Sequence, residues 1–151
     1  MGWIYLAIFI AICIICPVII IPVIIFAVIL LILSLANKNN NVENMTGLEF
    51  ESHIAYIFRK QGYNVITTPK TGDFGADLIL TKPNERICVQ CKRYKKPVGV
   101  SAVQEIATAK TYYNCEKAVV VTNSKFTKAA NKLATANKVV LYDGNWIKKR
   151  C

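Results

Sequence analysis

The chain has 151 residues and a formal net charge of +10, with 19 lysines and arginines against 9 aspartates and glutamates. Every charged side chain follows residue 36, so the charge belongs to residues 37–151, which have the length of one domain. Gly72 and Gly75 lack the lysine and the helix of a phosphate-binding loop, which excludes a nucleotide-binding protein of that class.

Residues 1–36 form an apolar stretch without Asp, Glu, Lys, Arg or His. An apolar run well beyond about 18 residues is typical of a membrane-spanning helix. Ser34 and Ala36 offer small residues for signal-peptide cleavage, but signal peptides have a basic start and an apolar core of roughly 7–15 residues. The stretch has neither property. We therefore predict that residues 1–36 are an uncleaved transmembrane anchor.

Pro17 and Pro22 lie in the middle of this stretch. An interior proline removes a backbone hydrogen bond and bends a helix, so the sequence allows one kinked span or a re-entrant hairpin. Lys38 follows the stretch while no Lys or Arg precedes it, and this asymmetry places the C-terminal side in the cytoplasm. The expected location is the inner cell membrane, with the polar domain in the cytoplasm.

A polar, asparagine-rich linker at residues 37–45 precedes the domain predicted over residues 46–151. Thr46 and Glu49 have the spacing of a capping box, so a helix is expected to begin there. Its buried face is indicated by apolar side chains at helical spacing: Phe50, Ile54, Ile57 and Phe58.

Two acids of this helix compete as the functional carboxylate. Glu49 already has a structural role in the capping box. Glu51 neighbours the apolar face, where a carboxylate would be held against the sheet. We therefore favour Glu51.

A strand over residues 63–68 is followed by a predicted β-hairpin over residues 72–92. The glycine-containing turn GDFGAD delivers Asp77 to the start of a buried strand, LIL. A polar break at residues 81–85 leads to a second strand, RICVQCK. Because side chains alternate across a strand, Gln90 and Lys92 share one face with Cys88, whereas Cys91 takes the other.

A carboxylate beside a carbonyl oxygen and an ammonium suits a hard divalent cation such as Mg²⁺, which prefers oxygen ligands. Lys92 could orient or deprotonate an attacking water, or stabilise charge on a phosphate. Asp77, Gln90 and Lys92 are thus candidates for metal-dependent phosphodiester hydrolysis. In isolation, the same spacing also fits a structural hairpin with a solvated lysine.

The basic loop RYKKP directly follows Lys92, and its position favours contact with a phosphate backbone. A second basic group lies on and before a helix predicted over residues 127–137, although it also fits a solvated helix face. The candidate nucleic-acid contacts are Arg93, Lys95, Lys96, Lys125, Lys128 and Lys132.

The remaining pattern predicts an α/β fold with a mixed sheet. Ser101 and Gln104 suggest a second capping box that opens a helix through Tyr113. The apolar run at residues 118–122 is typical of a central strand, and residues 139–142 form a last strand before a turn and a basic end. The expected order is helix, three strands, helix, strand, helix, strand.

Three segments resemble, in order, the motifs of the Mrr-like restriction endonuclease family of the PD-(D/E)XK nuclease superfamily. They are GDFGADLIL, VQCKRYKKPVGVSAVQE and VVVTNSKFTKAA, and the similarity runs from about residue 46 to residue 147. The resemblance implies a restriction-endonuclease-like core and Mg²⁺-dependent DNA cleavage. It also implies that Gln90 stands where the superfamily usually has Asp or Glu before x-Lys.

By the same resemblance, Glu51, Asp77, Gln90 and Lys92 are the catalytic residues, and Glu51, Asp77 and Gln90 are the Mg²⁺ ligands. In the family the helix acid follows a Phe, as Glu51 follows Phe50 here.

Six cysteines raise the question of zinc or disulfides. Cys88 and Cys91 have C-x-x-C spacing, but on a strand they face opposite ways, and no second pair completes a tetrahedral site. Cys13 and Cys16 lie within the apolar stretch and are interpreted as small membrane-buried residues. Reduced thiols in a cytoplasmic domain are therefore expected.

The sequence thus predicts a membrane-anchored, restriction-type, Mg²⁺-dependent DNA endonuclease. The expected partners are double-stranded DNA, the lipid bilayer and a second copy of the chain in a homodimer. Two alternatives stay open: a nucleic-acid-binding or tethering module that does not cleave, and an RNA nuclease.

Overall fold

The computed structural model describes the backbone of residues 2–39, 42, 44–69, 72 and 74–150, and the side chains of these residues except 6–19 and 35–39. The chain divides into two compact units, residues 1–41 and residues 42–151. The first contains one helix, α1 (Gly2–Asn39), which is continuous through Pro17 and Pro22. Its 38 residues make it about 57 Å long at 1.5 Å per residue.

Large apolar side chains are exposed on the described parts of α1, including Trp3, Phe26 and Leu33. Within the part of the chain whose side chains are described, no helix has both the length and the apolar character needed to cross a membrane. Much of the predicted anchor, residues 6–19 with Cys13 and Cys16, lies outside that part.

The second unit is an α/β domain, as predicted. It contains α2 (Gly47–Lys60), β1 (Asn64–Thr67), β2 (Leu78–Lys82), β3 (Glu85–Lys92), α3 (Val100–Tyr112), β4 (Lys117–Thr122), α4 (Lys128–Asn137), β5 (Val139–Tyr142) and α5 (Gly144–Lys148). The strands form one sheet in the order β1-β2-β3-β4-β5. The β1–β2 and β2–β3 pairs are antiparallel, whereas β3–β4 and β4–β5 are parallel.

The two faces of the sheet are covered by different helices. Ile79, Cys88 and Val120 point to one face and belong to a buried cluster with α3 and α4. Leu78 and Val89 point to the other, where they share a cluster with α2 and with Ile147 of α5. Burial of each such large apolar side chain contributes about 1.5–3 kcal/mol, so both faces hold the sheet between helices.

The cysteines of the hairpin follow the predicted alternation. Cys88 lies in the cluster under α3, and Cys91 packs against the cluster under α2. Cys88, Cys91 and Cys115 are free thiols in the described part of the chain.

The capping signals in the sequence predicted the start of α2 correctly and the start of α3 incorrectly. At α2, the Thr46 side chain accepts a hydrogen bond from the Glu49 amide while the Glu49 carboxylate accepts one from the Thr46 amide, as a capping box requires. At α3, the expected Ser101 cap is wrong, because the helix begins at Val100 after Gly99, without a side-chain cap. Val98 is held extended by a β-bridge to Phe126, and this long-range pairing sets where α3 begins.

Two turns also differ from expectation. The hairpin break is shorter than predicted, because Lys82 pairs with Glu85 and leaves a two-residue turn in which Asn84 has a φ of 62°. The segment after β5 is helical: the Asp143 carboxylate accepts hydrogen bonds from the amides of Asn145 and Trp146 and so caps α5.

Candidate active site

The β2–β3 hairpin brings Asp77 beside Gln90 at the open end of the ladder. Leu78 pairs with Val89, and the Asp77 amide donates a hydrogen bond to the Val89 carbonyl oxygen at 2.9 Å. The Cys91 amide donates to Asp77 Oδ2 at 2.6 Å. This bond ties the Asp77 carboxylate to the strand that carries Gln90 and Lys92.

The backbone before Asp77 is fixed from two directions. Thr68, just after β1, donates its amide to the Asp77 carbonyl oxygen at 3.0 Å and its hydroxyl to the Ala76 carbonyl oxygen at 2.5 Å. On the other side, Gly75 has a φ of +91° and lies against Glu105, so that a Cβ at position 75 would be 2.7 Å from the Glu105 Cβ. A glycine is therefore required where the turn meets α3.

Gln90 is buried, with 2% of its surface exposed. Its Nε2 donates a hydrogen bond to Glu105 Oε2 at 2.5 Å. Its Oε1 is buried and has no hydrogen-bond partner among the described residues. Leaving a buried acceptor unsatisfied costs about 1–3 kcal/mol, so an amide oxygen in this state is suited to receive a cation.

Lys92 lies two residues further along β3 and forms an ion pair with Glu105, with Nζ and Oε2 3.0 Å apart. Burial alone would lower the pKa of the Lys92 ammonium, but the hydrogen bond to Glu105 and the charge of that residue outweigh burial and raise the pKa. Burial likewise opposes ionisation of Glu105, but hydrogen bonds from Lys92 and Gln90 lower the pKa of that carboxyl. The pair is therefore ionic, with Lys92 as the cation.

The two helix acids occupy different environments. Glu49 is exposed, and the hydrogen bond from the Thr46 amide, at 2.6 Å, lowers the pKa of its carboxyl. Glu51 is half-buried and follows the fully buried Phe50. Burial raises the pKa of Cys91 well above its ordinary value, and the charges of Asp77 and Glu51 raise it further. Both carboxylates thus lie within electrostatic range of Cys91.

The donor set fits Mg²⁺ better than a softer metal. No group of three or more His, Cys, Asp or Glu side chains placed to hold a metal occurs in the described ranges. The candidate ligands are two carboxylates, from Glu51 and Asp77, and the amide oxygen of Gln90. Oxygen ligands of this kind, few in number, suit a cation that keeps several of its waters.

A basic surface lies at the carboxyl ends of the parallel strands β3, β4 and β5. A cavity of about 570 Å³ is lined by Asn44, Arg93, Tyr94, Lys95, Asn123 and Ser124. A neighbouring cavity of about 350 Å³ shares Lys95, Asn123 and Ser124 with it and adds two lysines, Lys125 and Lys148, and one acid, Asp143. We call the surface lined by these two cavities the basic groove.

Of the other candidate contacts, Lys96 is exposed in the same loop as Lys95, while Lys128 and Lys132 are exposed on α4. The structure therefore brings Arg93, Lys95 and Lys125 to the basic groove and adds Lys148, which the sequence interpretation left in an unassigned basic end.

Glu105 is the residue of this region that sequence reasoning missed. It contacts Gln90 and Lys92, and it backs the turn that carries Asp77. Only its spacing in the sequence indicates that it lies near the sheet. Glu105 comes three residues after Ala102 and four before Ala109, both buried positions of α3. Such spacing places a residue at the border of the buried face.

Comparison with known proteins gives a family and a fold. Residues 42–151 match the Mrr catalytic-domain family, described as "Restriction endonuclease". No curated protein matches the chain.

Among the solved structures that are similar to the chain, two align with the same TM-score. A protein of unknown function, AF1548, aligns with a TM-score of 0.56 and 20% identity, over 67% of this chain and 60% of that one. The DNA modification-dependent restriction endonuclease AspBHI aligns with a TM-score of 0.56 and 19% identity, over 74% of this chain and 33% of that one. The chain thus covers less than two thirds of either neighbour, and these similarities concern the fold.

Proposed function

Because the chain belongs to the Mrr-type restriction endonuclease family through residues 42–151, we propose that it is a Mg²⁺-dependent endonuclease that hydrolyses phosphodiester bonds of DNA. One observation carries the proposal. The hairpin end that presents the Asp77 carboxylate also presents a buried amide oxygen, Gln90 Oε1, without a hydrogen-bond partner in the described part of the chain. A buried polar atom left without a partner calls for an explanation, and a bound cation supplies one.

In this proposal, Glu51, Asp77 and Gln90 hold the metal ion. When bound, Mg²⁺ supplies Lewis-acid chemistry by withdrawing charge from an oxygen of the scissile phosphate. Asp77 is already oriented by the Cys91 amide, and Gln90 by Glu105. Lys92 contributes an ammonium that orients the attacking water or stabilises charge on the phosphate.

The basic groove and the neighbouring lysines bind the DNA backbone. Arg93, Lys95 and Lys96 follow directly on Lys92, so a phosphate contacted by this loop is adjacent to the proposed catalytic group. Lys125, Lys128 and Lys132 extend the positive surface beyond the groove. Such contacts give affinity without sequence recognition, because they reach phosphates rather than base edges.

We also propose that α1 anchors the protein in the inner cell membrane, with the nuclease domain in the cytoplasm. The supporting features are the uncharged sequence of residues 2–36, the continuous helix over them and the lysine at position 38. Extraction of cell membranes with alkaline carbonate should leave the protein in the pellet. A soluble form that begins near residue 37 would identify a signal peptide instead.

The expected homodimer stays a prediction. Light scattering of the purified full-length protein measures the mass of the particle directly. A mass of one chain plus its detergent would reject the dimer.

The nuclease proposal is tested with the purified full-length chain, supercoiled DNA and a structured RNA, each with Mg²⁺ or with chelator. We expect Mg²⁺-dependent cleavage of DNA that Asp77→Asn abolishes while DNA binding is kept. Glu85→Gln is the matched control, since it removes a carboxylate at the opposite end of the same hairpin, where Glu85 pairs with Lys117. Cleavage of RNA alone favours the RNA nuclease, and binding without cleavage under any divalent metal favours the binding module.

A further inference from the structure

We infer that Glu105 is a positioning residue: it fixes the orientation of the Gln90 amide and so lets a glutamine stand where a metal-binding acid would otherwise stand. This inference rests on the proposed nuclease function and deepens it. It concerns the residue that decides which end of the Gln90 side chain faces the metal.

The chemistry of the two groups sets the orientation. An ionised carboxylate can only accept hydrogen bonds, whereas an amide donates through its nitrogen and accepts through its oxygen. Glu105 Oε2 lies 2.5 Å from Gln90 Nε2, so a flipped amide would bring two acceptors together at hydrogen-bond distance. The nitrogen must therefore face Glu105, and Oε1 is turned away into its buried position without a partner among the described residues.

Lys92 strengthens this arrangement. Its ammonium lies 3.0 Å from Oε2, the oxygen that also receives the Gln90 bond. One carboxylate oxygen therefore takes hydrogen bonds from both members of the Gln-x-Lys pair. The orientation of the amide and the position of the ammonium are fixed by the same atom.

The Glu105 main chain is itself held in place. The same helix packs against the sheet through three buried side chains, those of Ala102, Ile106 and Ala109. The Gly75 turn packs directly on Glu105, at a separation that leaves no room for a Cβ. Glu105 therefore contacts both the turn that carries Asp77 and the strand that carries Gln90.

A consequence for position 90 follows. A carboxylate introduced there would meet the Glu105 carboxylate at the distance now occupied by a hydrogen bond, and two like charges would repel. Gln90→Glu alone should therefore weaken the site, although an acid is a stronger metal ligand than an amide. Exchanging the two groups, in Gln90→Glu with Glu105→Gln, restores one donor facing one acceptor.

The experiment compares the full-length wild type, Gln90→Glu, Glu105→Ala and the exchanged double variant, Gln90→Glu with Glu105→Gln. Alanine is used in the single variant because a glutamine at position 105 could still accept the hydrogen bond from Gln90 through its own amide oxygen. Binding of Mn²⁺ and of Mg²⁺ is measured by calorimetry without DNA, and cleavage is measured separately. We expect each single variant to bind metal about 10-fold or more weakly, the usual effect of losing a group that orients a ligand. The double variant should recover most of the affinity. Glu85→Ala, which removes a carboxylate at the far end of the hairpin, should bind as the wild type does.

The outcomes separate this inference from the nuclease proposal. If the wild type binds metal and cleaves DNA but Glu105→Ala does both equally well, the inference is wrong and the nuclease stands. The same holds if the double variant binds metal no better than the single variants. If the wild type neither binds metal nor cleaves, the nuclease proposal fails and the inference falls with it. Because the double variant tests recovery, a general loss of folding in one single variant cannot imitate the expected result.

Discussion

Replacing Gly75 by alanine tests the close packing between the active-site turn and α3. Two costs arise from the geometry. The φ of +91° lies in the left-handed region, which costs a residue with a Cβ about 1–2 kcal/mol. The new methyl group would also lie 2.7 Å from Glu105 Cβ and 3.1 Å from its carbonyl carbon. Overpacking of this kind costs about 1–3 kcal/mol.

Gly72→Ala is the matched control in the same turn. Gly72 has a φ of +74°, but a Cβ there would meet no atom of the described residues within 4 Å, so only the backbone cost applies. Gly75→Ala should therefore lower the free energy of unfolding by about 2–5 kcal/mol, and Gly72→Ala by about 1–2 kcal/mol. At about 4 °C per kcal/mol for a domain of this size, the two melting temperatures should be clearly separated.

Thermal and urea unfolding of the full-length chain, followed by circular dichroism, measure both variants. If Gly75→Ala is no less stable than Gly72→Ala, the turn does not pack on Glu105 as described, and the positioning role of Glu105 loses its mechanical basis. If both variants match the wild type, neither glycine is needed for its left-handed backbone.

Two further comparisons test the helix acid and the basic groove. Glu51→Gln should abolish Mg²⁺-dependent cleavage because an amide is a poorer metal ligand than a carboxylate. Glu49→Gln should cleave normally because glutamine still completes the capping box. The reverse result would show that Glu49, not Glu51, is the helix ligand. Lys95→Gln should weaken DNA binding and reduce the slope of log affinity against log salt by about one. The control is Lys60→Gln, because Lys60 lies on α2 and does not line the groove; its affinity and slope should equal those of the wild type. Equal slopes for both lysine variants would show that Lys95 contacts no phosphate.

Local patterns predicted the elements of the domain well. The alternation of residues 86–92 gave the correct faces of β3, and the Thr46 capping box gave the start of α2. Each of these features depends on residues close in sequence, so the sequence alone carries the information.

Features set by distant contacts could not be predicted in this way. The start of α3 depends on the pairing of Val98 with Phe126, and the burial of Gln90 depends on α3 lying over β3. The role of Glu105 also depends on distant contacts, because its partners Gln90 and Lys92 lie on β3. Helical spacing does not show which residues of a neighbouring strand a side chain contacts. The assignment of Glu51, Asp77, Gln90 and Lys92 to catalysis stays a prediction for the assays above.

The hairpin connection between Asp77 and Gln90 has a consequence for the order of folding. Hairpins close in about 1–10 μs, since few residues must be brought together. Closure of β2 on β3 therefore sets the backbone at both positions early. The Gln90 amide gains its hydrogen bond only when α3 docks and brings Glu105 to it. Metal-binding competence should accordingly appear in a refolding experiment with the docking of α3, after the strands have paired.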